Sequence, residues 1–272
     1  MDRLRNWIRQ HPIPAFVLIA YGFSWGLWAI MIAVWGQINW LGSFGPSLSA
    51  VIIATLSGGR SGLANLLRPI RNWRFGIGWY LFILPGCVLL LLAGLWAYMR
   101  LGGPMLLPGA AVRDQLLLMP LYFVIVFVIG GPLGEEIGWR GFLLPRLLKQ
   151  GSPLRASLVV FLIWFAWHLP LFWLPGASQR GSSIGAYVVF IAAWSVLFTW
   201  VYIGTSGSLL SALLLHTSIN TLSVFMTGVD PVHAEAPLLT QAVVCAIFAS
   251  LVIAVDRRMS RSTSLADPSS GM

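Results

Sequence analysis

Long apolar runs separated by short polar connections dominate the chain. The runs are continuous, whereas the strands of a membrane β-barrel alternate apolar and polar residues. A helix rises ~1.5 Å per residue, so about 20 residues cross a hydrocarbon core of roughly 30 Å. The pattern predicts an all-α, polytopic integral membrane helical bundle with about eight transmembrane helices, at 15–35, 41–56, 79–99, 116–131, 157–174, 184–203, 209–226 and 237–255.

Composition and charge support a membrane protein. The chain is 58% hydrophobic and 9% charged, whereas soluble domains have about 25% charged residues. Its net charge of +9 comes from short basic clusters between apolar runs. Such clusters indicate topology, so we expect the lipid bilayer as a partner and no nucleic acid.

The basic residues also predict an orientation. With eight spans, 14 of the 17 fall on one side, in 1–12, 58–74, 140–155 and 257–261. Basic loops remain in the cytoplasm, so we expect a multi-pass inner-membrane protein with both termini cytoplasmic. The predicted organisation is helices 1–3 with a basic loop (1–115), a catalytic core (116–226), a last helix (227–255) and a disordered tail (256–272).

Adjacent carboxylates, Glu135 and Glu136, follow the fourth run, and Arg140 comes four residues later. The chain contains only eight acidic residues, and a charge inside a membrane costs roughly 2.5–3.5 kcal/mol, so this pair indicates a functional site. Glu136 and Arg140 share a helix face, where the arginine can neutralise that carboxylate. Glu135 points about 100° away, toward another helix.

Three further polar side chains lie within later runs: His168, His216 and Asn220. Together with the glutamates they predict one polar cavity shared by three helices. Because Glu135 follows the end of the run 116–131, we expect this cavity in the cytoplasmic half of the bilayer. Nearby tryptophans, including Trp164, are expected to pack or to lie at the membrane interface.

The residue types allow two chemistries. Glu135 and His168 could activate a water while His216 and Asn220 stabilise an oxyanion. Alternatively, Glu135, His168 and His216 could bind a divalent metal such as zinc, with a water as fourth ligand. The sequence leaves both open.

The three motifs in order resemble the CAAX-protease and bacteriocin-processing (Abi, Rce1-like) family of intramembrane endopeptidases. They are Glu135-Glu136-x-x-x-Arg140, the segment ending in His168, and His216-x-x-x-Asn220, and the resemblance covers about 116–225. The middle motif has Trp164 where the family usually has Phe. The resemblance implies an eight-helix protease with a cavity open to the cytoplasm and to lipid, and catalytic roles for all six polar residues. It also implies a membrane-anchored protein or peptide substrate, including prenylated CAAX-type proteins.

Other functions remain as alternatives. The polar cluster could instead hold together an immunity or scaffold protein of the same fold, or relay protons in a transporter. Gly204–Gly207 fits the Gly-x-Ser-Gly pattern of rhomboid serine proteases, but His216 lies ~15 Å further along the same span. We therefore interpret 204–208 as a turn. Asp230, His233 and Glu235 are expected in a solvated loop.

Overall fold

The computed structural model describes residues 2–104, 116–229 and 237–261. These residues form helices joined by turns, with no strand among them. We number the helices in chain order: α1 (Asp2–Gln10), α2 (Pro12–Trp35), α3 (Gly45–Leu67), α4 (Ile77–Arg100), α5 (Met119–Ile129), α6 (Pro132–Leu148), α7 (Pro153–His168), α8 (Ile184–Gly204), α9 (Leu209–Val229) and α10 (Leu238–Val255).

The helices confirm the predicted membrane bundle. Within the described ranges, seven helical segments are long and apolar enough to cross a membrane. The pair α5 and α6 passes the same test jointly and supplies an eighth span. The all-α polytopic fold class is therefore confirmed.

The fourth span is broken, and this corrects the predicted boundary at 131. Helices α5 and α6 meet at an angle of 46°. Gly131 adopts φ +106°, which side-chain-bearing residues rarely adopt, and Pro132 has no backbone N–H to continue the hydrogen-bond ladder. The chain then continues as helix to Leu148. Glu135 and Glu136 thus lie inside a broken span, whereas the sequence had placed them at its end.

Two predicted polar segments are more ordered than expected. The loop predicted at 58–74 is largely helical, since α3 runs to Leu67 with a kink at Gly59. The tail was predicted to be disordered from 256, but Met259 is buried and its carbonyl accepts a hydrogen bond from the Leu154 backbone N–H. The predictions for 105–115, 230–236 and 262–272 lie outside the described residues.

The contacts between connections define two ends of the bundle. At one end, which we call the basic end, Arg5 donates to the carbonyl of Leu56, and Asn72 donates to the carbonyl of Thr205. The tail contact of Met259 lies at this end too. At the opposite end, the Ile38 N–H donates to the carbonyl of Pro175. The connections 36–44 and 173–183 therefore meet across the bundle.

The Gly-x-Ser-Gly segment is confirmed as a turn. Helix α8 ends at Gly204 and α9 begins at Leu209. Ser208 donates to the carbonyl of Asn72 and caps the N–H of Ser211. The segment thus joins two helices at the basic end, and Ser208 satisfies the first turn of α9.

Candidate active site

The structure brings the six predicted side chains together from three helices. Glu135, Glu136 and Arg140 lie on α6, His168 is the last residue of α7, and His216 and Asn220 lie on α9. Glu136 and Arg140 are fully buried at 0% exposure, while Glu135 and His168 are each 5% exposed. The slightly exposed side chains form one layer of polar residues, and the fully buried Glu136 and Arg140 belong to a second layer behind it.

The first layer faces a cavity of about 330 Å³. Four of the six predicted residues line it, namely Glu135, His168, His216 and Asn220. Aromatic rings form much of the remaining wall, including Trp164 and Trp167. Glu136 and Arg140 lie behind this surface, away from the cavity. The arrangement is an apolar pocket with a few converging polar groups, as small-molecule and substrate sites usually are.

The second layer is a buried ionic cluster centred on Glu136. Its Oε1 atom lies 2.7 Å from the Arg140 guanidinium and 2.8 Å from Nδ1 of His216. The guanidinium also lies 4.3 Å from the ring centroid of Trp164 and 3.8 Å from that of Phe198. The Glu136–Arg140 pair was predicted from spacing. The contact with His216, 80 residues away, was not.

Two indole N–H groups hold the Glu135 carboxylate. Trp164 Nε1 donates to Oε2 over 2.8 Å and Trp139 Nε1 donates to the same atom over 3.3 Å. From the sequence, Trp164 is expected to pack or to lie at the membrane interface, and no role is predicted for Trp139. Trp139 lies four residues after Glu135, so its contact could have been predicted from helical spacing. Both indoles fix Oε2 through neutral donors, without adding a compensating charge.

Hydrogen bonds at Nδ1 orient both histidines. Nδ1 of His168 lies 2.8 Å from the carbonyl oxygen of Trp164, which can only accept. That nitrogen therefore carries the proton, and Nε2 of the neutral ring is left with a lone pair. The Glu136 carboxylate fixes Nδ1 of His216 in the same way. In both rings Nε2 is the nitrogen available to another molecule.

Asn220 links α9 to the break in the fourth span. Its Nδ2 donates to the carbonyl of Gly130 over 2.8 Å. A carbonyl at the end of a helix has no partner within that helix, and inside a membrane such a group is costly. The second N–H of the Asn220 amide remains for another acceptor. Asn220 thus stabilises the break and still presents a donor.

Replacing Gly131 with alanine is expected to disturb this site. An added Cβ would stand 2.9 Å from Glu135 Oε1 on a backbone with φ +106°. Strain of this kind costs about 1–3 kcal/mol. We expect Gly131→Ala to lower the unfolding temperature in detergent. Gly26→Ala is the matched control, since no neighbouring atom lies within 4 Å of its added Cβ. An unchanged unfolding temperature for Gly131→Ala would contradict the prediction.

The predicted zinc ligands do not form a metal site as they stand. Within the described ranges, no group of three or more His, Cys, Asp or Glu side chains is arranged to hold a metal ion. Nδ1 of each histidine is held by a carbonyl or a carboxylate, which leaves Nε2 as the nitrogen that could bind a metal. A metal at Glu135, His168 and His216 would need these side chains to converge further.

Comparison with known proteins supports the resemblance over the part of the chain that contains the site. Residues 117–222 match the model of the Rce1-like family, described as type II CAAX prenyl endopeptidase Rce1-like. A protein named CAAX prenyl protease 2 from Methanococcus maripaludis is 29% identical over 92 residues, which are 32% of this chain and 34% of that protein. The chain thus matches about a third of that relative's length. The segment 117–222 contains all six site residues, and over it the chain matches the Rce1-like family that its motifs predicted.

Proposed function

We propose that this protein is an intramembrane endopeptidase that hydrolyses peptide bonds of membrane-associated proteins. The observation that carries the proposal is a carboxylate, Glu135, at a membrane-embedded cavity beside His168. A charge at this depth is costly and marks function by default. The similarity of residues 117–222 to a prenyl endopeptidase family favours hydrolysis over transport or scaffolding.

In the proposed reaction Glu135 acts as the general base. Its carboxylate takes a proton from a water molecule, and the resulting hydroxide attacks the carbonyl carbon of the substrate. His168 Nε2 accepts the second hydrogen bond of that water and orients it. When the tetrahedral intermediate breaks down, Glu135 returns the proton to the leaving amine.

His216 and Asn220 are proposed to stabilise the oxyanion of the intermediate. Asn220 has one amide N–H left after its bond to Gly130. His216 would donate from Nε2 as an imidazolium that is already protonated before the reaction begins, with the Glu136 carboxylate 2.8 Å from its Nδ1 to balance the charge. Removing one donor of this kind typically lowers kcat by about 100- to 1,000-fold. Glu136 and Arg140 then act through His216 as positioning residues.

Substitution of His168 tests the proposal. We expect His168→Asn to lower cleavage of membrane-anchored peptides by about 100- to 10,000-fold, as for loss of a positioned acid–base group. Asparagine can still donate to the Trp164 carbonyl but has no equivalent of Nε2. The measurement is turnover of a peptide panel in detergent micelles, with and without a prenylated CAAX sequence.

His11→Asn is the matched control for that experiment. His11 is an exposed histidine at the junction of α1 and α2, near the basic end, and does not line the cavity. We expect His11→Asn to retain wild-type turnover. A His168→Asn protein that folds and cleaves at the wild-type rate would refute a catalytic role for His168.

Metal removal separates the two chemistries that the sequence left open. We propose direct activation of water by Glu135, and therefore expect turnover to persist after incubation with EDTA or 1,10-phenanthroline. The support is the arrangement of Glu135, His168 and His216, which do not form a group that could hold a metal ion. Loss of turnover with the chelators, restored by added zinc, would establish the metal alternative instead.

A further inference from the structure

The cavity has a definite direction within the bundle. Its rim contains Asn39, Trp40 and Ser178, which are exposed and belong to the connections 36–44 and 173–183. Its inner wall contains Glu135 and His216. The rim therefore lies at the end opposite to the basic end, where the Ile38 N–H meets the Pro175 carbonyl.

Buried side chains close the other side of the site. Below Glu135, the next turns of α6 contribute Arg140, Phe142, Leu143 and Leu144, each at 0% exposure. Helix α9 adds fully buried residues between its start and His216, including Leu209 and Leu213. None of these six lines the cavity. The path from the site to the basic end is thus filled with packed side chains.

The cationic residues are concentrated beyond this closed side. Thirteen of the 17 arginines and lysines lie at or near the basic end: Arg3, Arg5, Arg9, Arg60, Arg68, Arg71, Arg74, Arg146, Lys149, Arg155, Arg257, Arg258 and Arg261. Arg100 and Arg180 lie toward the rim, and Arg140 is in the core. Such an asymmetry predicts that the basic end faces the cytoplasm.

We infer that the catalytic cavity opens on the extracytoplasmic side of the membrane. Its substrates are then polypeptide segments that lie outside the cytoplasm, next to a membrane anchor, and reach the site past the connections 36–44 and 173–183. This inference rests on the proposed peptidase function for its substrate class. It reverses the cytoplasmic opening that the family resemblance implied.

The position of Glu135 along its span agrees with this direction. Thirteen residues of α6 separate Glu135 from Leu148 at the basic end, or ~20 Å of helix. Because a bilayer core is about 30 Å thick, this length of helix places Glu135 far from the basic end. The cavity end is the shorter route to water for a scissile bond beside Glu135.

Cysteine labelling tests the orientation without any cleavage assay. We choose Ser178→Cys at the rim and Ser260→Cys at the basic end as a matched pair of exposed serines. The native Cys87 and Cys245 are buried, so the unsubstituted chain is the blank. A membrane-impermeant maleimide is added to sealed right-side-out vesicles. We expect Ser178→Cys to react at least about tenfold more than Ser260→Cys, with both reacting after detergent permeabilisation.

The inference is overturned if, in sealed vesicles, the maleimide labels Ser178→Cys no more than it labels Ser260→Cys. Gln37→Cys, an exposed position in the other rim connection, replaces Ser178→Cys should that variant not insert.

A cleavage measurement in the same vesicles tests the substrate class separately. The probe is a peptide with one apolar transmembrane helix and a polar segment on one chosen side. We expect cleavage only of the peptide whose polar segment is outside. Cleavage only of the peptide whose polar segment lies inside the vesicle would overturn the inference and leave the peptidase proposal intact. No cleavage on either side, with the expected labelling, would reject the peptidase proposal and retain the orientation.

Discussion

Glu135→Gln is expected to lower kcat/KM for peptide cleavage by about 100- to 10,000-fold. Glutamine keeps the size of the side chain, and its carbonyl oxygen can still accept from Trp164 and Trp139. The amide cannot take a proton from water at neutral pH, so only the proton-transfer step is removed. The measurement is steady-state cleavage of a membrane-anchored peptide, with the unfolding temperature recorded for the same preparation.

Asp256→Asn makes the same change from carboxylate to amide elsewhere. Asp256 follows α10 at the basic end, pairs with Arg258 and does not line the catalytic cavity. We expect this variant to cleave within twofold of the unsubstituted protein. Glu135→Gln with wild-type kcat/KM would exclude Glu135 as the general base. Lost activity with a collapsed unfolding temperature would point to a structural role for Glu135.

Arg140→Met is expected to lower the free energy of unfolding by about 3–5 kcal/mol, because it leaves Glu136 charged and buried without its cation. Arg140 and Glu136 are both at 0% exposure. Arg146→Met is the control on the same helix. Arg146 donates to the Phe142 carbonyl and pairs with no carboxylate among the described residues, so about 0.5–1.5 kcal/mol is expected. Equilibrium unfolding in mixed micelles measures both.

A double-mutant cycle separates the ion pair from general packing. Glu136→Gln combined with Arg140→Met removes both charges and leaves no uncompensated ion in the core. We expect the double variant to be more stable than Arg140→Met alone, because neighbouring charges couple strongly. Strictly additive losses would show that Arg140 contributes through its contacts with Trp164 and Phe198 and that its charge contributes nothing.

Helical spacing and membrane physics account for what the sequence could predict. The period of 3.6 residues placed Glu136 beside Arg140 and turned Glu135 toward another helix, as the structure shows. The cost of charge in lipid correctly predicted that residues on three helices would meet. These inferences needed only local geometry and the scarcity of acidic residues.

The relations between helices could not be read from the sequence. The contact between Glu136 and His216 depends on how α6 and α9 are rotated against each other, which spacing within one helix does not fix. The apolar run ended at 131 because hydropathy cannot distinguish a polar helix buried in protein from a loop. The sequence therefore placed Glu135 at the end of its span, whereas the structure places it inside the broken span.

The packed layer beneath the site has a consequence for the membrane as a whole. A cavity that lets water reach Glu135 leaves less than the full bilayer to separate the two compartments. The side chains of Phe142, Leu143 and Leu144 are fully buried between the site and the basic end. In the proposed hydrolysis, water therefore reaches Glu135 from the cavity, because the packed layer separates the site from the basic end.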